Sequence, residues 1–220
     1  MNARAILPRS EERYDQSNCN PNLFPMTITT AKRFSIKEYH RLTELGFFRE
    51  DDRIELIYGE IIQMAAKGTA HELCLTKLNR KLINLLGDRA MLRVQSPITL
   101  LSNSEPEPDF TLVKNRADDY LSSHPSPEDV LLVIEIADSS LSYDQEVKLP
   151  LYAESGISNY WLFNLPESCL EVYSEPYQNL PRGFGYSMKR IVLPNQAIAL
   201  PGFPDLSLEL AQVFPAKMNR

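Results

Sequence analysis

The sequence is short of the features that most quickly betray a function. It has three cysteines, Cys19, Cys74 and Cys169, an odd number spread along 220 residues. They match neither a disulfide framework nor a zinc-ligand spacing, and such usage points to a reducing compartment. No apolar run is long enough to span a bilayer. The N-terminal stretch is charged throughout and lacks the apolar core of a secretory signal. These absences predict a cytoplasmic protein with no membrane segment. A basic excess is missing too: 23 lysines and arginines stand against 29 acids, a net charge of −6. That argues against a constitutive nucleic-acid binder relying on phosphate neutralisation. It leaves room for an enzyme that handles nucleic acid through a local basic patch.

What is present is ordinary globular material, 43% hydrophobic and 24% charged, enough for one domain with a substantial core. Residues 1–27, polar and rich in Pro and Asn, are expected to form a flexible leader, with Met26 an alternative start; 28–215 then make a single domain. "SIKE" at 35–38 has the form of a capping box and opens a helix that stops at Gly46. "RIELIYGEIIQM" (53–64) reads as two short strands joined at Tyr58-Gly59. "HELCLTKLNRKLINLLG" places His71, Leu75, Leu78, Leu82 and Leu85 on one helical face, with Lys77, Arg80 and Lys81 on the other. Strand-like segments follow at 91–101 and 109–113, then a loop at 114–129 rich in Ser, Asp and Pro. A helix running to Ser155 and ending at Gly156, a hairpin of "NYWLFN" and "CLEVYS", and a strand near 186–193 complete the chain. The order predicts an α/β domain, bordering on α+β.

One residue does not fit its surroundings. Val130–Ala137 is an apolar run of strand length, suited to burial on both faces of a sheet, yet Glu135 lies within it. A carboxylate there is costly unless something positive or hydrogen-bonding meets it. Asp109 begins the preceding strand, directly after Pro106-Glu107-Pro108. If the two strands are neighbours, both carboxylates can meet on one side of the sheet, where they repel unless a cation sits between them. Two oxygen ligands suit Mg²⁺ or Mn²⁺. The plainer reading of Glu135 is a buried ion pair with Arg53 or Lys148. Glu55 is a third acid, in the first strand, and pairing with Arg53 at the surface is its plain reading. Asp144 reads as a helix cap, His71 as a packed histidine, and Tyr160, Trp161 and Phe163 as core or dimer contact.

Pro108-Asp109, Glu135-x-Ala137 and Lys148 together resemble the PD-(D/E)XK nuclease superfamily. The segments "RIELIYGEI", "HELCLTKL", "PEPDFTLV", "LLVIEIADSSLSYDQEVKLPLYAESGISNYWLFNL" and "LPGF" extend the likeness over residues 30–210, to the restriction-endonuclease-like family multiplied in cyanobacteria. The resemblance implies a restriction-endonuclease-like core, a central mixed β-sheet flanked by helices. It implies Asp109 and Glu135 as metal ligands, Lys148 as catalytic lysine and Glu55 as accessory acid. It also implies a Mg²⁺- or Mn²⁺-dependent endonuclease acting on DNA; cutting both strands of a duplex favours two related sites, and so a homodimer. Two positions depart from the pattern. Ala137 stands where the lysine usually lies, so the lysine would have to come from the next helix, and Pro150 threatens that helix two residues after Lys148. A catalytically inactive module for binding or assembly is the alternative. So is a nuclease for RNA or structured DNA.

Overall fold

The computed structural model describes residues 30–49, 51–179, 181 and 183–215. The chain divides into Met1–Lys32 and Arg33–Arg220, and every element below belongs to the second unit. The leader expected over 1–27, with Met26, lies outside the described residues.

Helix α1 (Ile36–Glu44) starts where its capping box predicts. The Ser35 hydroxyl accepts from the Glu38 N–H at 3.3 Å, and Glu38 Oε2 accepts from the Ser35 N–H at 2.9 Å. Strands β1 (Ile54–Ile57) and β2 (Glu60–Gln63) form the expected hairpin around Tyr58-Gly59. Only glycine suits position 59: φ is +78°, and a Cβ there would stand 2.9 Å from the Arg33 Cβ. Helix α2 (Thr69–Leu86) begins earlier than the periodicity suggested. Its buried line is His71, Cys74, Leu78, Leu82 and Leu86, so Cys74 and Leu86 take the places expected of Leu75 and Leu85. Gly87, at φ +51°, ends it.

Six strands form the central sheet in the order β3-β4-β5-β6-β7-β8. These are Met91–Val94, Phe110–Val113, Val130–Ala137, Asn159–Asn164, Cys169–Asn179 and Gly183–Val192. Strand β3 stops at Val94, well short of the run to 101 that its residues suggested. Strand β8 starts three residues earlier than expected. The β5–β6 pair is parallel and the other described pairs in the sheet are antiparallel. A parallel pair needs a crossover, and residues 141–154 supply it. This is a mixed α/β architecture, a central mixed sheet flanked by helices. A second hairpin, β9 (Ala197–Leu200) with β10 (Phe203–Glu209), closes the C-terminal part.

Two apolar layers hold the helices on. On one face Cys74, Leu78 and Leu82 of α2 pack with Leu132, Ile134, Ile136, Trp161 and Phe163. On the other, Leu151 and Tyr152 pack with Val133, Ala137, Tyr160 and Leu162. Alternation along β5 therefore sends its isoleucines to one layer and Val133, Glu135 and Ala137 to the other. Tyr160, Trp161 and Phe163 are core residues, buried to within 1% of full burial.

The crossover is where Pro150 acts. Helix α3 (Leu141–Tyr143) leads into a π-helical turn, Asp144–Lys148, and only then into α4 (Leu149–Glu154). The Leu149 N–H reaches back to the Asp144 carbonyl, the wider i→i+5 bond. Pro150 thus occupies the first turn of a new helix, where its missing N–H is not needed. The wide turn directs Lys148 into the sheet.

Candidate active site

Asp109 and Glu135 come together because β4 and β5 are antiparallel with Phe110 opposite Ile134. One step further along the ladder, Asp109 faces Glu135, and directly opposite residues share a side of the sheet. The Asp109 N–H donates to Glu135 Oε2 at 3.2 Å. Both residues are 4% exposed, and both line a cleft of about 220 Å³ between the β1–β2 hairpin, the start of α2 and the start of the crossover.

Glu135 meets its positive partner in Lys148. The Lys148 ammonium donates to Glu135 Oε1 at 2.8 Å and to Glu55 Oε1 at 3.0 Å. Tyr152, one turn along α4, donates its hydroxyl to Glu135 Oε1 at 2.7 Å. The Lys148 side chain is 2% exposed. The pair expected of Glu135 is therefore Lys148, and Arg53 has no part in it. Glu55 is buried, not a surface partner of Arg53, and its Oε1 also accepts from the Glu107 N–H at 2.9 Å. Its Oε2 is buried with no hydrogen-bond partner. Arg53 instead donates to the Ala65 carbonyl at 3.2 Å.

Asp109 is held by residues that sequence reasoning passed over. Its Oδ2 pairs with His71 Nε2 at 2.9 Å and accepts from the Ile136 N–H at 2.9 Å. Its Oδ1 accepts from Lys67 Nζ at 2.8 Å and from Gln95 Nε2 at 3.3 Å. His71, read as a packed histidine, faces the cleft from the first turn of α2. Lys67 comes from the irregular stretch 64–68 that joins β2 to α2, where no periodicity signals it. Asp144 is not a helix cap: it is the first residue of the π-helical turn, directly after α3, and its Oδ2 accepts from the Ser140 hydroxyl at 2.6 Å. It lies buried at the cleft's edge.

The electrostatics divide the acids. Burial would push Asp109 up, but the hydrogen bond and charge of His71, with Lys67, outweigh it and hold the carboxyl at about 2. Burial pushes Glu135 up to about 8, against the pull of Lys148 and with repulsion from Asp144 and Asp109. Burial likewise lifts Asp144 to about 6, with Lys148 opposing. Burial alone would lower Lys148, but Glu135 and Glu55 outweigh it and hold the ammonium well above its ordinary range. The cleft is thus a crowded set of acids kept in place by two ammonium groups and a histidine.

Such a set fits a hard divalent cation. The donors are carboxylate oxygens, two ammonium ions compensate their charge where a metal could, and Glu55 Oε2 is a buried acceptor still without a partner. Elsewhere, Glu167, Cys169 and Glu171 cluster at the β6–β7 turn. There Glu171 already accepts from Asn164, Gln145, Tyr173 and Lys189, so its oxygens are committed to the fold. The basic helix face is also partly engaged: Lys77 donates to the Phe214 carbonyl, and Arg89, beyond the helix, pairs with Asp205.

A family model described as "Uma2: Putative restriction endonuclease" matches residues 36–211. No curated protein matches the chain. Among solved structures, the fold is similar to that of a protein from Anabaena variabilis titled "a putative nuclease belonging to DUF820". The TM-score is 0.62 at 15% identity, over 82% of this chain and 97% of that one. Among the described residues, no helix is long and apolar enough to cross a membrane. The match spans most of the chain, and the chain belongs to the Uma2 family.

Proposed function

We propose that this member of the Uma2 family is a divalent-metal-dependent endonuclease that hydrolyses phosphodiester bonds in DNA. The observation that carries the reading is the placement of Asp109 opposite Glu135 at the floor of a polar cleft, with a lysine bridging Glu135 and Glu55. Carboxylates from adjacent strands with an amine beside them are the parts needed to bind a metal and activate a water. Asp109 and Glu135 would hold Mg²⁺ or Mn²⁺, with Glu55 as an accessory acid. When bound, the ion supplies positive charge to a phosphate oxygen and lowers the pKa of a bound water.

The protein's own part is largely positioning. His71 and the Ile136 N–H fix the Asp109 carboxylate from two directions. Lys148 keeps Glu135 and Glu55 aimed at the cleft and can orient a water beside them. Tyr152 anchors Glu135 from the core side. Cutting both strands of a duplex favours two related sites, hence a homodimer, working in the cytoplasm.

A second reading, a non-catalytic binding module, is favoured by one observation: Lys148 is almost wholly buried between two carboxylates and Ala137 offers no other amine. Cleavage of supercoiled plasmid, single-stranded DNA and RNA in Mg²⁺ or Mn²⁺ separates the readings. The nuclease reading expects cleavage of plasmid by the wild type, lost in Asp109→Ala and Glu135→Ala. Cleavage of RNA alone moves the substrate. Metal binding without cleavage of any of the three favours the binding module.

A further inference from the structure

We infer that Lys67, on the stretch between β2 and α2, is the residue that contacts the substrate phosphate. This rests on the nuclease reading and assigns a substrate contact within the same site.

The argument begins with the two lysines of the cleft. Lys148 is 2% exposed and its ammonium is committed to two buried carboxylates. Reaching a phosphate outside that nest would mean abandoning Glu135 and Glu55 in a buried site, a heavy penalty. The Lys67 side chain is 15% exposed, against 6% for that of Asp109, and its charged bond runs to Asp109 alone. Without it Asp109 would still keep three partners, His71, Gln95 and the Ile136 N–H. Lys67 can therefore exchange one oxygen anion for another and leave Asp109 hydrogen-bonded.

The surroundings favour that exchange. The cleft is lined by acids, Glu55, Glu107, Asp109, Glu135, Asp138 and Asp144, against three cations, Arg53, Lys67 and Lys148. A phosphodiester entering it needs positive charge at the mouth, and Lys148 is too deep to provide it. Lys67 is suitably placed, and its stretch is steadied by the exposed Arg53, whose guanidinium holds the Ala65 carbonyl. A cation taken up at Asp109 would displace Lys67 electrostatically and release it toward the phosphate.

The test is fluorescence anisotropy with a labelled DNA duplex in Ca²⁺ across a series of NaCl concentrations. It compares wild type, Lys67→Ala and Lys67→Arg, and each variant's thermal shift with Mn²⁺ is measured alongside. Each phosphate contact contributes about 0.9 to the slope of log affinity against log salt. Lys67→Ala should lose about that much per active site, Lys67→Arg should keep it, and both should retain the Mn²⁺ shift. Equal slopes for wild type and Lys67→Ala would overturn the assignment of Lys67 while leaving the nuclease reading intact. A Mn²⁺ shift lost in Lys67→Ala would overturn it as well, by showing that Lys67 supports the metal site. If wild type binds neither this duplex nor single-stranded DNA or RNA, the nuclease reading itself fails, and the assignment with it.

Discussion

Lys148 Nζ lies 2.8 Å from Glu135 Oε1, on the sheet face where Val133, Ala137, Leu151 and Tyr160 pack. The apolar strand tolerates its carboxylate because the π-helical turn ahead of Pro150 brings an ammonium to it. Lys148 bridges Glu135 and Glu55, and removing it strips both buried carboxyl groups of their cation, at a cost of about 3–5 kcal/mol. Lys148→Ala should therefore lower unfolding stability by about that amount in urea titration. Tyr152→Phe removes one of several donors and should cost about 1–3 kcal/mol. A loss under 1 kcal/mol for Lys148→Ala would mean that the pair is not holding the crossover to the sheet.

The pH dependence of stability follows from Glu135. Its carboxyl is raised from an ordinary 4.5 to about 8, chiefly by burial. For an acid whose folded pKa lies above its unfolded one, the stability contribution is complete below pH 4.5 and is lost as the pH rises to about 8. Asp144, raised to about 6, acts in the same direction over the lower part of this window. Between pH 6 and 8 in EDTA, the wild-type melting temperature should fall, and Glu135→Gln should be flatter. Parallel curves for the two proteins would contradict this.

Asp109 behaves oppositely. Burial would raise it, but His71 and Lys67 hold it at about 2, below an ordinary 3.8. Its contribution to stability is present above pH 3.8 and is lost as the pH falls through about 2. In His71→Ala the Asp109 titration should move up toward 3.8, read from the carboxyl ¹³C shift. An unmoved titration would mean that His71 does not set the state of Asp109.

Much of this was legible in the residues, and the illegible part has physical causes. Glu135 stood out because a carboxylate in an all-apolar strand demands a partner, and Asp109 could be placed beside it by strand adjacency alone. Lys148 could be named as one of two possible partners of Glu135, but not chosen over Arg53, since nothing local shows that Asp144–Lys148 forms a π turn rather than an α-helix. His71 could be put on the buried stripe of α2, but periodicity does not say which turn of that stripe passes the end of β4. Lys67 sits where the backbone has no period, so neither pattern nor spacing could point to it. Asp144 read as a cap because Asp commonly is one; it lies instead inside a helical stretch that already starts at Leu141, so there is no helix start for it to cap.

The central claim is a divalent-cation site built on Asp109 and Glu135, and thermal stability against Mn²⁺ and Mg²⁺ tests it most directly, with no substrate required. Metal at 100 times its dissociation constant stabilises the folded chain by about 2.7 kcal/mol, a rise of about 5–10 °C for a chain of this size. The expected result is that rise in the wild type and its loss in Asp109→Ala. No rise in the wild type, or an equal rise in Asp109→Ala, would contradict the site and leave Lys148 and Glu135 as a buried ion pair holding helix to sheet.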